Sequence, residues 1–282
     1  MSNRAILNII LLAMVIGLTV FITYDPKQES KAMTTLGGPA NMEITDITLK
    51  RDGLEDVLFQ RQHMQWRMLK PYQVSAAPER INALLELPSA VSHNRFSSID
   101  KDLGVYHLAE PKAELTLNKN QYQFGNSERL SNHRYVLHDN TIHLTTDRFF
   151  HHLRTSPIQF VSRNILDTGM RIKSIDLPTL KITKSSDGHW QTAPGQAPDV
   201  ARHQSIENLV DHWRTLRANQ VKTIKTPAEV MDITLTLESG RKMKFGVRQT
   251  EDELILICNP QGIQFHFDGE NANKLLSLTS SN

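Results

Sequence analysis

Residues 113–146 read AELTLNKNQYQFGNSERLSNHRYVLHDNTIHLTT, and their rhythm decides the fold class. Apolar and polar side chains alternate in four short runs, at 113–118, 121–125, 134–138 and 141–146. Period-two alternation puts every second side chain on one face, the pattern of a half-buried strand. Asp139-Asn140 separates the last two runs by two residues that tolerate positive φ, a hairpin signal. Strands joined by turns this short pair antiparallel, so the stretch predicts an antiparallel meander. DRFFHHL (147–153) predicts a short helix that closes the unit.

Working outward, ITDITLKRDG (44–53) predicts an opening strand with Ile44, Ile47 and Leu49 apolar. Strands follow at Val57–Gln60 and Gln65–Leu69, the second centred on Trp66. Pro78-Glu79-Arg80 opens a helix into INALLEL (81–87), whose Ile81, Leu84, Leu85 and Leu87 fall close to helical spacing. IDKDLGVYHLAEP (99–111) reads as a loop.

The chain then says much the same again. IKSIDL (172–177) and TLKITK (179–184) lead through Asp187-Gly188 to HWQT, with Trp190. A helix is expected from Val200 to Arg217, with Ile206, Leu209, Val210, Trp213 and Leu216 apolar. DITLTL (232–237), KMKFG (242–246), ELILIC (253–258) and IQFHF (263–267) repeat the meander, with turns at Ser239-Gly240 and Asn259–Gly262. NANKLLSL (271–278) repeats the closing helix. Matching landmarks keep a near-constant offset: Trp66 to Trp190 is 124, Pro71 to Pro194 is 123, Arg80 to Arg202 is 122, Gly125 to Gly246 is 121 and Ile142 to Phe265 is 123. The reading is therefore α+β: two related units, each an antiparallel sheet with a helix on one face, at residues 44–168 and 169–282.

Residues 5–23, AILNIILLAMVIGLTVFIT, carry no charge and only Asn8, Thr19 and Thr23 as polar side chains. Nineteen helical residues span about 28 Å, close to a bilayer core. Tyr24 suits the interface, and Asp25-Pro26 ends the helix. A cleaved signal peptide would have a shorter apolar run and a small-residue cleavage site. A lipid anchor needs a cysteine just after the run, whereas the only cysteine is Cys258. Residues 1–25 are thus expected to form a transmembrane anchor and 26–43, with Gly37-Gly38-Pro39, a flexible linker. Arg4 before the helix favours a cytoplasmic N-terminus. The bulk of a bacterial chain would then be periplasmic, on the inner membrane.

Charge is balanced in each unit: 15 basic and 14 acidic residues in 44–168, 14 and 13 in 169–282. Neither has the basic excess of a nucleic-acid binder. GxGxxG, GxxxxGKS and GxSxG are all missing from the sequence. Seven of the twelve histidines lie between His93 and His152. His133, His138 and His143 are five apart, and His151-His152, being adjacent, should point to different sides of a helix. Surface or half-buried histidines are expected rather than a metal site. Asp52, Glu55 and Asp56, and Glu251-Asp252-Glu253, fall at turns where solvated carboxylates are normal. Gly125 and Gly246 are expected to supply positive φ at a turn, and Trp66 and Trp190 to seal their sheets. Cys258, in LILIC, reads as a buried, inert thiol. No residue is assigned to catalysis, to a cofactor or to a metal, and no cofactor is expected.

Several of these segments resemble a known family. ITLKRDG, Trp66 with a proline five residues on, PERINALLEL, DLGVYHLAEPKAELTLN, QYQFGN and RYVLHDNTIHLTTD are similar to the bacterial domain of unknown function numbered 4340. The resemblance covers about 44–160, with a weaker echo in 172–278. It implies an extracytoplasmic domain on one N-terminal membrane helix, in some cases beside ABC transporters of the gliding-motility type. The leading expectation is a non-enzymatic, membrane-anchored binding or scaffolding component of an envelope complex, plausibly a transporter auxiliary. Its partners would be the membrane, through residues 5–23, and a membrane protein. The alternative is a small-ligand or glycan-binding protein using the cleft between the units, with Trp190 and Trp213 the first residues to inspect. An envelope hydrolase ranks third.

Overall fold

The computed structural model describes residues 11–16, 34–37, 43–129, 131–192, 200–224 and 231–278. Most of the expected anchor, the linker at 26–33 and 38–42, and Pro194 lie outside the described residues. Residues 11–16 are helical and exposed. No helix among the described residues is long and apolar enough to cross a membrane.

The first sheet is built from β1 (Asp46–Arg51), β2 (Leu54–Gln62), β3 (Gln65–Lys70), β4 (Val74–Ser75), β5 (Ser92–Ser97), β6 (Ala113–Leu117), β7 (Asn120–Ser127), β8 (His133–His138) and β9 (Thr141–Thr146). Its order is β4-β3-β2-β1-β6-β7-β8-β9-β5. The second contains β10 (Ile172–Asp176), β11 (Lys181–Lys184), β12 (Trp190–Thr192), β13 (Gln220–Thr223), β14 (Met231–Leu237), β15 (Lys242–Gln249), β16 (Glu253–Cys258) and β17 (Ile263–Asp268). Its order is β12-β11-β10-β14-β15-β16-β17-β13. The two orders match strand for strand, β4 having no counterpart among the described residues. Every strand pairing among the described residues is antiparallel, as the short turns require.

The turns behave as their residues dictate. Asp139 and Asn140 both take positive φ, 43° and 59°, which lets β8 and β9 pair across two residues. Gly188, Gly240 and Gly262 likewise take positive φ at the expected turns.

Helix α1 (Pro78–Leu85) buries Ile81 and Leu84 on the first sheet, and proline at its start meets the backbone geometry of a first helical turn. The expected closing helix at 147–153 is a 3-10 turn, Asp147–Phe149, running into α2 (Phe150–Leu153). In the second unit α3 (Val200–Thr215) buries Ile206, Leu209 and Trp213. The Trp213 indole N–H donates to the Leu275 carbonyl at 2.9 Å, tying α3 to α4 (Gly269–Leu276).

Strands β5 and β13 are absent from the sequence reading. Both are polar (SHNRFS and QVKT), so neither shows alternation. Each follows the main helix and crosses to the far edge, where it pairs with the last strand of its own sheet. A long-range pairing of that kind leaves no local signal.

Three other expectations are corrected. Residues 34–37 of the linker are docked, not free: Leu36 is 2% exposed, Thr35 bridges Val91, and the Tyr122 hydroxyl donates to the Gly37 carbonyl at 2.7 Å. Burying that leucine is worth about 1.5–3 kcal/mol, enough to hold a short strap on a sheet edge. Gly125 and Gly246 lie inside β7 and β15 and do not have positive φ. At Gly125 the cause is a close approach, since an added Cβ would stand 2.1 Å from the Tyr106 carbonyl oxygen. The third concerns His151 and His152, whose ring centroids are only 3.8 Å apart. Both lie in a single α turn, so the rings meet although their Cβ directions diverge.

Residues 160–164 stitch the two sheets to each other. Ala77 N–H donates to the Phe160 carbonyl and Ser162 N–H to the Ser75 carbonyl, both at 2.8 Å. On the other side Ala218 N–H donates to the Arg163 carbonyl at 2.9 Å. Phe160 packs against Phe59 with centroids 5.4 Å apart. The buried side chains of both sheets therefore form one connected set.

Candidate functional site

Where the two sheets meet, the connector leaves a cleft of about 310 Å³. This is near the lower end of the range of small-molecule sites. One wall comes from the end of the first sheet and from the connector, with Val74, Val161, Ile165 and Met170. The other comes from the second sheet, with Met243, Phe245, Cys258, Ile263 and Phe265. These five share one face because the ladder pairs Cys258 with Ile263 and places Met243 and Phe245 two residues apart on β15.

Polar groups in the cleft fall into two sets. Arg67 reaches Asp167 at 3.2 Å, and the Ser75 hydroxyl donates to the same carboxylate. All three are part-buried, so this network is internally satisfied. Arg241 is different. It stands in the hairpin opposite Leu237, whose amide donates to the Arg241 carbonyl at 2.9 Å. It is therefore on the face of Met243 and Phe245, at the end of the cleft. Its side chain is exposed and, among the described residues, has no hydrogen-bond or ion-pair partner. Lys242 and Lys244 are exposed as well, on the opposite face of β15.

The tryptophans proposed for ligand contact are elsewhere. Trp190 and Trp213 are buried in the core, Trp213 against Phe245 at 5.9 Å. Trp66 is half-buried and packs on the same core. Cys258 lies in the cleft wall, and burial pushes its thiol up to about 12, so the inert reading agrees with its setting.

Three of the histidines, His138, His143 and His266, are more buried than expected, the other nine being exposed or half-buried. His138 stacks on Tyr122 at 4.3 Å and its Nδ1 bonds the Gln121 carbonyl. His143 is 5% exposed, with Nδ1 3.0 Å from the Ser92 hydroxyl. Burial first, then His138 and Arg95, push His143 down to about 4. His266 holds Glu253 at 2.5 Å through Nδ1, while Nε2 meets the Gln264 amide at 2.9 Å. With both ring nitrogens engaged, the ring is braced in place. No group of three or more His, Cys, Asp or Glu among the described residues is arranged to hold a metal.

Asp52 and Asp56 line a separate, polar groove with Lys50, His107 and Glu110. Its mixed charges are those of a solvated surface. Arg51 beside it is buried and donates to the carbonyls of Leu153, Thr155 and Glu55, closing the first unit. Arg134 does similar work. It makes a two-pronged pair with Asp147 at 2.6 and 3.1 Å and lies 3.5 Å over the Phe150 ring. Nothing in the local sequence marked Arg67, Arg134 or Arg241, because their partners or neighbours come from distant segments.

Comparison with known proteins returns one family, described as Domain of unknown function (DUF4340), matching residues 66–277. The match runs as one stretch from Trp66 through both sheets, where the sequence resemblance had weighted the first unit. No curated protein and no solved structure is matched significantly.

Proposed function

The chain belongs to the DUF4340 family, and from that premise we infer that it is a non-enzymatic binding component of an envelope complex. On this reading residues 5–23 hold it in the inner membrane and the folded part lies outside the cytoplasm. The observation that carries the binding role is the apolar cleft between the two sheets. Its only carboxylate among the described residues, Asp167, is tied to Arg67 and Ser75, which favours binding over hydrolysis. Its walls are aliphatic and Phe-lined rather than faced with tryptophan, which favours an apolar ligand over a glycan.

Two further features suit a membrane location. Residues 11–16 form a helical stretch whose large apolar side chains are exposed, Leu11, Leu12 and Met14 among them. The docking of Leu36 also shortens the tether. At most ten residues, 24–33, then separate the anchor from the folded part, roughly 35 Å at full extension. The folded part would sit close to the bilayer, where a transporter or another envelope assembly is the expected partner.

The test is a photocrosslinking amino acid at Met243 in the full-length chain in membranes. A discrete adduct should form there and not from the same amino acid at exposed Lys173. No adduct at Met243, or the same products from both positions, refutes a binding role for the cleft.

A further inference from the structure

We propose that the cleft takes a single-chain amphiphile with an anionic head, a carboxylate or a phosphate, its chain on the apolar walls and its head at Arg241. The inference rests on the cleft being the binding site and names what that site would select.

Three observations carry it. The walls are apolar on both sides, from Val161 and Ile165 across to Phe245 and Phe265, so they offer a chain little but dispersion and burial. At about 30 Å³ per water-sized group, the volume holds roughly ten methylene-sized groups. That suits one alkyl chain and is small for a folded peptide segment. The charge at the end of the cleft is one-sided. Arg67 is cancelled by Asp167, while Arg241 has no partner among the described residues; Lys242 and Lys244 alternate onto the opposite face of β15, so Arg241 is the cation on the cleft side. A guanidinium on the edge of an apolar cleft can meet a carboxylate or phosphate with two parallel hydrogen bonds. A neutral head gains none of this, and a cationic head is repelled.

Cys258, the only thiol in the chain, is buried and inert, so Cys258→Ser removes it, and Met243→Cys, at a half-buried position in the same cleft wall, gives a single site-specific reporter thiol. This full-length variant in phosphatidylcholine nanodiscs is alkylated with N-ethylmaleimide over hours and followed by mass spectrometry. Dodecanoate, dodecyl phosphate, dodecanol and dodecylammonium are added in turn. An anionic amphiphile should slow alkylation about tenfold more than dodecanol, the effect of one charge-assisted contact. Whichever of dodecanoate and dodecyl phosphate protects better identifies the head group. Dodecylammonium should protect least, and Arg241→Glu should make the anions no better than dodecanol. Equal protection by all four overturns the head-group assignment while leaving the cleft as a binding site. No protection by any of them, with the Met243 photocrosslink still formed, overturns the amphiphile altogether and gives the cleft to another partner. Loss of the photocrosslink as well removes the cleft reading itself.

Discussion

Replacing Gly125 by alanine tests the close packing of the segment 102–108 against β7. The new methyl would stand 2.1 Å from the Tyr106 carbonyl oxygen and 3.2 Å from the Leu108 side chain. Ordinary contact needs about 1 Å more at the oxygen, so one partner must move. β7 is held between β6 and β8 and cannot yield. The segment must, yet it is fastened by buried Leu108 and by Tyr106, whose ring lies 5.6 Å from Phe96 and 4.9 Å from Tyr135. Squeezing it in place costs about 1–3 kcal/mol. Releasing it gives up the leucine burial, about 1.5–3 kcal/mol, and part of the aromatic contact. Alanine returns about 0.4–1 kcal/mol by restricting the unfolded chain. The net loss should be about 0.5–2.5 kcal/mol, read as a lower urea midpoint with unchanged slope. Faster exchange of the Leu108 amide, which donates to the Leu103 carbonyl at 2.9 Å, should accompany it. Gly125→Asn separates the causes: asparagine tolerates positive φ, so a turn requirement would spare it, whereas close approach penalises it more than alanine. An unchanged midpoint in Gly125→Ala, or a harmless Gly125→Asn, refutes the argument.

Other consequences follow from single residues. His143 is held near 4 in the fold against about 6.5 when unfolded, so the unfolded chain binds the extra proton between those values. Stability should be full above pH 6.5 and decline toward pH 4, by up to about 3 kcal/mol; His143→Gln should flatten that slope in urea titrations at stepped pH. Leu36→Ala should cost about 2–4 kcal/mol and expose the strap, so limited proteolysis between residues 33 and 43 should quicken; equal cleavage rates would mean that the strap is not docked. Trp213→Phe keeps an aromatic ring but leaves the buried Leu275 carbonyl without its donor, at a cost of about 1–3 kcal/mol in the same unfolding assay.

Much of the site lay beyond reading from sequence for a single reason. Alternation reports which face of a strand is buried, not what lies opposite it. The second-sheet wall of the cleft could be read as one apolar face from KMKFG, ELILIC and IQFHF. That the face would end against Val161 and Ile165 could not, since the connector carries no periodic pattern. Trp190 and Trp213 drew attention as large aromatics on the second unit, but burial of apolar area draws such residues into a core first. The buried histidines escaped for a related reason. An imidazole can be buried wherever a hydroxyl, carbonyl or carboxylate caps its nitrogens, and those caps, Ser92, Gln121 and Glu253, come from other strands.

What the sequence by itself determined is what local forces govern. The antiparallel meanders, the Asp139-Asn140 hairpin, the main helices and the repeated order of elements all follow from alternation, turn chemistry and capping within a few residues. The tertiary structure alone decided the rest. It placed polar β5 and β13 on the far edges, docked Leu36 out of the linker, demanded glycine at 125 because a distant carbonyl arrives there, and left Arg241 without a partner among the described residues, beside an apolar cleft. Each depends on segments far apart in the chain meeting in space, where packing rather than propensity sets the outcome.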